Sequence, residues 1–332
     1  MNDYNIVFSV PVHEKWDVVL DLVINYIHFN PECAIVLHVS KDFNESESIM
    51  KREEFESAIH QIGNVFINPV SLRTGFADII QAHISNFKYL CSISEFHFFA
   101  MCASNELFVK KGLYEHIEDY DCGVDIFFPE DRPIWRVGHF AKEDKDLKSM
   151  LVEMGGDRIV ASHIEGTFYT RKIFQSIVAI IEKCYDYNTM EVPYPREEIY
   201  FSTVLWNIAQ QNKSIKVLNP GIFTLVNWKI RYNRMTISID DVKRSQNVES
   251  FFYSVKRVDR NINDYIRAYI RQVSGYEQAE KTFIHFNHYN KVLLYLFDYC
   301  KKIKLIVKRI RFLVNKKKNR AIVNLRDKNK KF

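Results

Sequence analysis

Glycine is scarce, with 10 residues in a chain of 332. Neither G-x-G-x-x-G nor G-x-x-x-x-G-K-[ST] occurs, so the sequence offers no fingerprint for a dinucleotide on a glycine-rich turn or for a P-loop phosphate cradle. There is no G-x-S-x-G elbow for a serine nucleophile, and no H-E-x-x-H or comparable zinc pattern among the 11 histidines. The six cysteines, at 33, 91, 102, 122, 184 and 300, include no C-x-x-C pair. Cys33 lies inside "CAIVLHV", where a free thiol acts as a small hydrophobe, and the usage as a whole suits a reducing compartment. No run approaches the ~18 apolar residues of a membrane-spanning helix. "MNDYNIVFSVPV" also lacks the basic start, apolar stretch and cleavage site of a secretory leader. The expectation is a soluble or peripheral cytoplasmic protein.

What is abundant is apolar and aromatic. Hydrophobic residues make up 47% and aromatics 14%, enough to bury a sizeable core. The net charge of +5 is unevenly spread. Residues 301–332 hold fourteen Lys/Arg against one acid, Asp327, which is +13 and leaves −8 on the preceding 300 residues.

The first 130 residues alternate between strand-like and helix-like stretches. "NIVFSVPV" (5–12), "CAIVLHV" (33–39), "NVFINPV" (64–70), "FHFFAMCA" (96–103) and "VDIFF" (124–128) read as strands. Between them, Trp16, Val19, Leu20, Val23, Ile24 and Ile27 share one helical face, and helices are also expected over 46–62 and 76–90. Such alternation predicts an α/β fold, a mostly parallel sheet with helices on both faces. Residues 131–160 read as a loop-rich insertion, and late helices are expected around 239–255 and 262–278. Ligands of such sheets collect beyond the C-terminal strand ends, which here are 11–13, 38–41, 69–75 and 104–111.

Several residues there could carry chemistry. Asp119-Tyr-Asp121 and Asp144-Lys-Asp146 have a spacing used to hold hard cations through oxygen, but the first follows a polar helix and the second sits in a charged loop, so both read as solvated acids. His13 and His38 lie at adjacent strand ends, either as crevice residues or as satisfied structural histidines. "PREEIYFSTVLWN" (195–207) places Glu197 and Glu198 after a proline at the head of an apolar stretch. Acids suit a helix start, where free N–H groups and the macrodipole favour negative charge. A base at the mouth of a cleft is the other reading. Lys229, Arg231, Lys256 and Arg257 are cations able to meet a phosphate without a metal, or are ordinary surface charge.

Taken in register, these segments resemble the core-2/I-branching β-1,6-N-acetylglucosaminyltransferase family, which includes peptide xylosyltransferases and many bacterial members. "IVLHVSKDF" is similar to its His-Val-Asp-Lys signature, and "RTGFADIIQA" to its Trp-Gly segment. "FFAMCASNELFVKK" stands at its Ser-Gly-x-Asp loop, "EGTFYTRKIFQSIV" at its Gly-Ser-x-(Trp/Tyr)-Phe run and "PREEIYFST" at its Pro-Asp-Glu motif. "VNWKIRYNRMTISIDDVKRSQNVESFFYSVKRVD" stands at its Ile-Asp-Trp to Phe-Ala-Arg-Lys-Phe-Asp sequence. The order holds over roughly residues 4–262. Departures fall at Ser40 and Asn105, each in place of an aspartate, at Thr74 for the tryptophan and at Phe108 for a proline.

The resemblance implies a GT-A-like domain over 1–262; after it the residue pattern reads as a helical extension over 263–300 and the basic tail over 301–332. The resemblance also implies inverting transfer from a UDP-sugar, N-acetylglucosamine the first choice, to a glycan or lipid-linked oligosaccharide, without a cofactor or required divalent metal. Glu198 would be the catalytic base. Lys256, Arg257 and Arg231 would meet the donor diphosphate, and Pro11, His13, His38, Ser40, Arg73 and Gly75 would line the nucleotide crevice. Asn105, Glu165, Glu197 and Trp228 would contact the sugars.

In the tail, Ile303, Leu305, Ile306, Ile310, Leu313 and Val314 fall largely on one helical face among the cations. That basic amphipathic pattern suits an anionic membrane surface, here the inner face of the cell membrane, and no nucleic-acid motif accompanies the charge. A solubilising or disordered end is the plainer reading. The competing functions are a catalytically silent binder of nucleotide-sugar or glycan, and an adaptor that works through the tail.

Overall fold

The computed structural model describes residues 3–276 apart from 14, 44–47, 49, 76–78, 132–136, 187–193, 229 and 232–233. Residues Met1–Glu277 form one compact unit. The basic tail and Cys300 lie outside the described residues.

The strands are β1 (Asp3–Val12), β2 (Cys33–Val39), β3 (Val65–Ile67), β4 (Glu95–Met101), β5 (Glu106–Phe108), β6 (Cys122–Gly123), β7 (Thr167–Thr170), β8 (Val217–Leu218), β9 (Thr224–Leu225), β10 (Ile230–Arg231), β11 (Arg234–Met235) and β12 (Ser254–Lys256). The helices are α1 (Trp16–Phe29), α2 (Arg52–Ile62), α3 (Ile80–Ile93), α4 (Leu113–Ile117), α5 (Val137–Glu143), α6 (Lys145–Met154), α7 (Arg171–Cys184), α8 (Glu197–Gln211), α9 (Ile239–Gln246) and α10 (Tyr265–Ser274).

Seven strands make the main sheet in the order β3-β2-β1-β4-β7-β6-β8. All neighbours pair parallel except β7, which runs antiparallel to both β4 and β6. The expected α/β class and mostly parallel sheet are what the chain forms. The register follows from alternation. Cys33, Ile35, Leu37 and Val39 of β2 enter one apolar cluster with α1 and α2, while Ala34 and Val36 enter the other with α3, α7 and α8. Both faces are covered, so β1 and β2 read as continuous apolar runs. A smaller sheet, β5-β12-β9, packs beside the first cluster, and β10 and β11 form a short hairpin.

Three expectations of secondary structure need correction. The helix expected over 239–255 ends at Gln246, and residues 254–256 instead pair with β5 and β9 as β12. Residues 124–128 are not a strand: pairing ends at Gly123, and the Asp125 and Ile126 amides donate to the Ser162 hydroxyl and the Asn219 side-chain oxygen instead, leaving one bridge, Phe127 to Ala161. The charged stretch expected to be loop-rich holds α5 and α6, because Leu147, Met150 and Met154 at helical spacing are buried while the charges face water.

α10, at the start of what reads from sequence as an extension, belongs to the first core cluster through Ile266 and Ile270. Its Arg267 and Arg271 both meet Asp21 of α1, at 2.6 and 3.0 Å, with all three side chains buried. Replacing Asp21 with Ala strands two guanidinium groups out of water. The expected cost is ~3–5 kcal/mol in urea unfolding, and a loss under ~1 kcal/mol would contradict this account.

Candidate active site

The start of α8 is placed by Asp144, one of the acids read from sequence as solvated. It is buried instead. As the N-cap of α6 it accepts from the Asp146 and Leu147 amides at 2.9 and 3.2 Å. It also accepts from the hydroxyls of Tyr194 and Tyr200 and from Arg196 Nε at 2.5, 2.8 and 3.2 Å. Burial works to raise its pKa, but these donors and the Arg196 charge hold it below the usual carboxylate range. Asp144 thereby ties α6 to the segment that enters α8. Asp121, from the other pair, accepts from the Lys216 amide at 2.8 Å. Among the described residues no group of three or more His, Cys, Asp or Glu is arranged to hold a metal ion.

Glu197 and Glu198 occupy the first turn of α8, so the helix-start reading and the site reading meet in the same place. Neither is an ordinary solvated acid. Glu197 is 7% exposed, and its Oε2 is buried without a hydrogen-bond partner among the described residues. Burial, with the Glu198 and Glu165 charges adding, pushes its pKa to about 8. Glu198 is half-buried and titrates at about 7, raised by burial and by Glu165 against the pull of Lys256.

Lys256 ends β12 and is ion-paired with Glu165 across 91 residues of sequence. Burial alone would raise the Glu165 pKa, but the Lys256 ammonium and its hydrogen bond outweigh that and lower it. Arg257, the next residue, has φ 72°, the left-handed region that costs a non-glycine residue ~1–2 kcal/mol. Its guanidinium donates to the Asn227 carbonyl at 3.0 Å and lies 4.0 Å from the ring centre of Trp228. Trp228 is 54% exposed and also stacks near His163, at 5.1 Å between centroids. Asn105 adjoins this strand, its carbonyl accepting from the Val258 amide at 3.1 Å.

The remaining crevice residues line the neighbouring strand ends. Pro11 pairs with His38 in register, and the His38 Nε2 accepts from the Leu72 amide at 3.1 Å. Ser40 Oγ accepts from the Thr74 and Asp42 amides, and the Thr74 hydroxyl lies 3.3 Å from His13 Nε2. Arg73 pairs with Asp42 at 2.7 Å on the exposed rim, next to the exposed Gly75. The His13 pKa is lowered by burial and by Arg260, which follows the Lys256 segment. Electrostatics connect the two groups: fully buried His83 of α3, pushed down to about 3 by burial, feels the charges of both Glu165 and His38. The structure thus brings Glu198, Glu197, Glu165, Lys256, Arg257, Trp228 and Asn105 into one neighbourhood. His13, His38, Ser40, Arg73, Gly75 and Pro11 form its flank. Arg231 lies in β10, and its side chain is outside the described residues.

Sequence reasoning missed Glu106. Its carboxylate is fully buried and accepts from the hydroxyls of Thr224 and Ser254, both at 2.6 Å, and from the Ala103 amide at 3.1 Å. Burial raises it to about 7 despite those donors, and the Glu165 charge adds to the rise. One signal was available: an acid enclosed by the apolar stretch around "ELFV" is costly to bury without a role.

No protein-family model matches the chain. A chondroitin synthase of Pasteurella multocida (strain Pm70) is 26% identical over 264 residues, covering 74% of this chain and 26% of that protein. The chain therefore spans about a quarter of that relative's length. Among solved structures, the galactosyltransferase LgtC in complex with donor and acceptor sugar analogues gives a TM-score of 0.41 at 11% identity, over 82% of this chain and 95% of that one. An active-site mutant of LgtC gives 0.42 at 12%, with the same coverage.

Glu106, Glu197 and Glu198 hold protons in the folded chain that an unfolded chain releases above its ordinary pKa of 4.5, since their folded values lie at about 7, 8 and 7. Their contribution to stability is therefore full below that pH and is lost as pH rises through 7–8. The urea midpoint should be higher at pH 5.5 than at 8.5. Glu197→Gln, with no proton to lose, should flatten the slope by up to ~1.4 kcal/mol per pH unit. An equally steep slope in the variant would contradict the assignment.

Proposed function

We propose that this chain is a glycosyltransferase that moves a sugar, N-acetylglucosamine the first choice, from a UDP-sugar to a hydroxyl of a glycan or lipid-linked oligosaccharide. The transfer inverts the anomeric carbon and uses fixed side-chain cations in place of a divalent ion. The observation that carries this reading is the meeting of Glu198, an acid held at about 7, with Lys256 and Arg257 beside the C-terminal strand ends. The match to a chondroitin synthase, named for a polysaccharide product, supports it in kind. The motif order from residue 4 to 262 supports a divergent core-2/I-branching relative with a GT-A-like domain.

Each group then has a task. Glu198 takes the proton of the acceptor hydroxyl as its oxygen bonds to the anomeric carbon. The bond from that carbon to the β-phosphate oxygen breaks through an oxocarbenium-like state, and the electron pair leaves with UDP. Lys256 and Arg257 stabilise the charge gathering on the diphosphate. Trp228, partly exposed with Arg257 over its ring, offers a flat apolar surface to a sugar, and Asn105 and Glu197 border the same space. The crevice of Pro11, His13, His38, Ser40, Arg73 and Gly75 takes the nucleotide. In this reading the tail docks on an anionic membrane surface near a lipid-linked acceptor. No helix among the described residues is long and apolar enough to cross a membrane.

One observation favours a silent nucleotide-sugar binder instead: Lys256 is already neutralised by Glu165. Glu198→Gln separates the two. UDP release from a panel of UDP-sugars in EDTA should fall ~10²–10⁴-fold while UDP binding persists. Wild-type kcat at saturating donor should rise as pH passes through about 7 and Glu198 loses its proton. No turnover with any donor, or turnover untouched by the substitution, would remove the proposal.

A further inference from the structure

We propose that Glu165 is the gate of the donor-phosphate site: its carboxylate pairs with Lys256, a diphosphate must displace it, and a proton enters with the nucleotide. The inference rests on Lys256 being the phosphate cation of the proposed function.

The geometry restricts how the exchange can happen. Glu165 is 9% exposed, and the backbone after it cannot swing. Gly166 sits at φ +81°, its amide donating to Met101 and its carbonyl accepting from Phe223, at 2.9 and 3.0 Å. A Cβ there would stand 2.5 Å from the Thr224 amide nitrogen. Within this segment only the Glu165 side chain is left to move. Around it stand Glu106 from β5, Glu197 and Glu198 from α8, His83 from α3, Lys256 and Arg257 at the end of β12, and His163 on its own loop. Every one of these is electrostatically coupled to Glu165.

Four acids are thus coupled electrostatically to two cations, and burial raises three of them, Glu106, Glu197 and Glu198, to about 7, 8 and 7. A diphosphate that takes Lys256 adds negative charge and leaves Glu165 buried beside three other acids. In low dielectric that arrangement is strongly unfavourable unless a proton arrives. The proton comes from solvent and forms the carboxyl O–H; no bond between heavy atoms forms or breaks. The gate also selects: an anion must outcompete a carboxylate built into the chain. A single phosphate exchanges one partner for another, whereas a diphosphate spans Lys256 and the adjacent Arg257.

Calorimetry of the full chain with UDP, UMP and inorganic pyrophosphate, at pH 7 in buffers of different ionisation enthalpy, tests this. Wild type should take up about one proton per UDP, and its UDP affinity should strengthen from pH 8 to pH 6. Glu165→Gln should bind UDP about tenfold more tightly, take up at most half as many protons and discriminate less against UMP. A merely structural role for Glu165 predicts weaker binding, and that result would overturn the gate. So would unchanged proton uptake in a folded Glu165→Gln variant. If that variant fails to fold, wild-type affinity that does not strengthen toward pH 6 overturns it independently. Wild type that binds neither UDP nor pyrophosphate would instead remove the donor-site reading on which the gate rests.

Discussion

Glu106 lies wholly out of water, and the donors that meet its carboxylate come from three separate stretches: Ala103 after β4, Thr224 on β9 and Ser254 on β12. The small sheet of β5, β12 and β9 has strands of two or three residues, and the carboxylate adds side-chain bonds from β5 to both other strands. Lys256 pairs in register with Glu106 itself, so the position of the cation that pairs with Glu165 follows from an acid that never touches solvent.

A second anchor acts on the other side. Asp144 gathers Tyr194, Tyr200 and Arg196 around one carboxylate and fixes the entry into α8, setting where Glu197 and Glu198 emerge. Both anchors are buried acids satisfied by hydrogen bonds, yet they differ in charge state. Asp144 has a cation and two phenols and stays ionised, whereas Glu106 has only neutral donors and titrates at about 7. The neighbourhood between them is rich in acid and short of cation. There Glu198 acquires a pKa close to that of an efficient base at neutral pH.

Much of the architecture was legible in the sequence. β1, α1, β2 and β4 carry strong apolar patterns because both sheet faces are buried, and they form where the patterns place them. The short strands were not legible. β5, β7 and β12 exist through partners far away in sequence, and a stretch such as 124–128 has strand composition but finds side-chain acceptors instead. The same division holds at the site. Glu198 and Lys256 could be singled out one at a time, but nothing local says that Lys256 meets Glu165 or that Asp144 turns inward. Those facts arise from chain crossings, and a single sequence records crossings poorly.

Gly166 has no room for a side chain, since β9 passes too close. The atom that would be struck belongs to Thr224, the residue whose hydroxyl bonds to Glu106, while the residue beside Gly166 is Glu165. A methyl group added there would push on both carboxylates at once. Crowding at an uncharged position would then register as altered acidity in groups that this glycine does not itself bond.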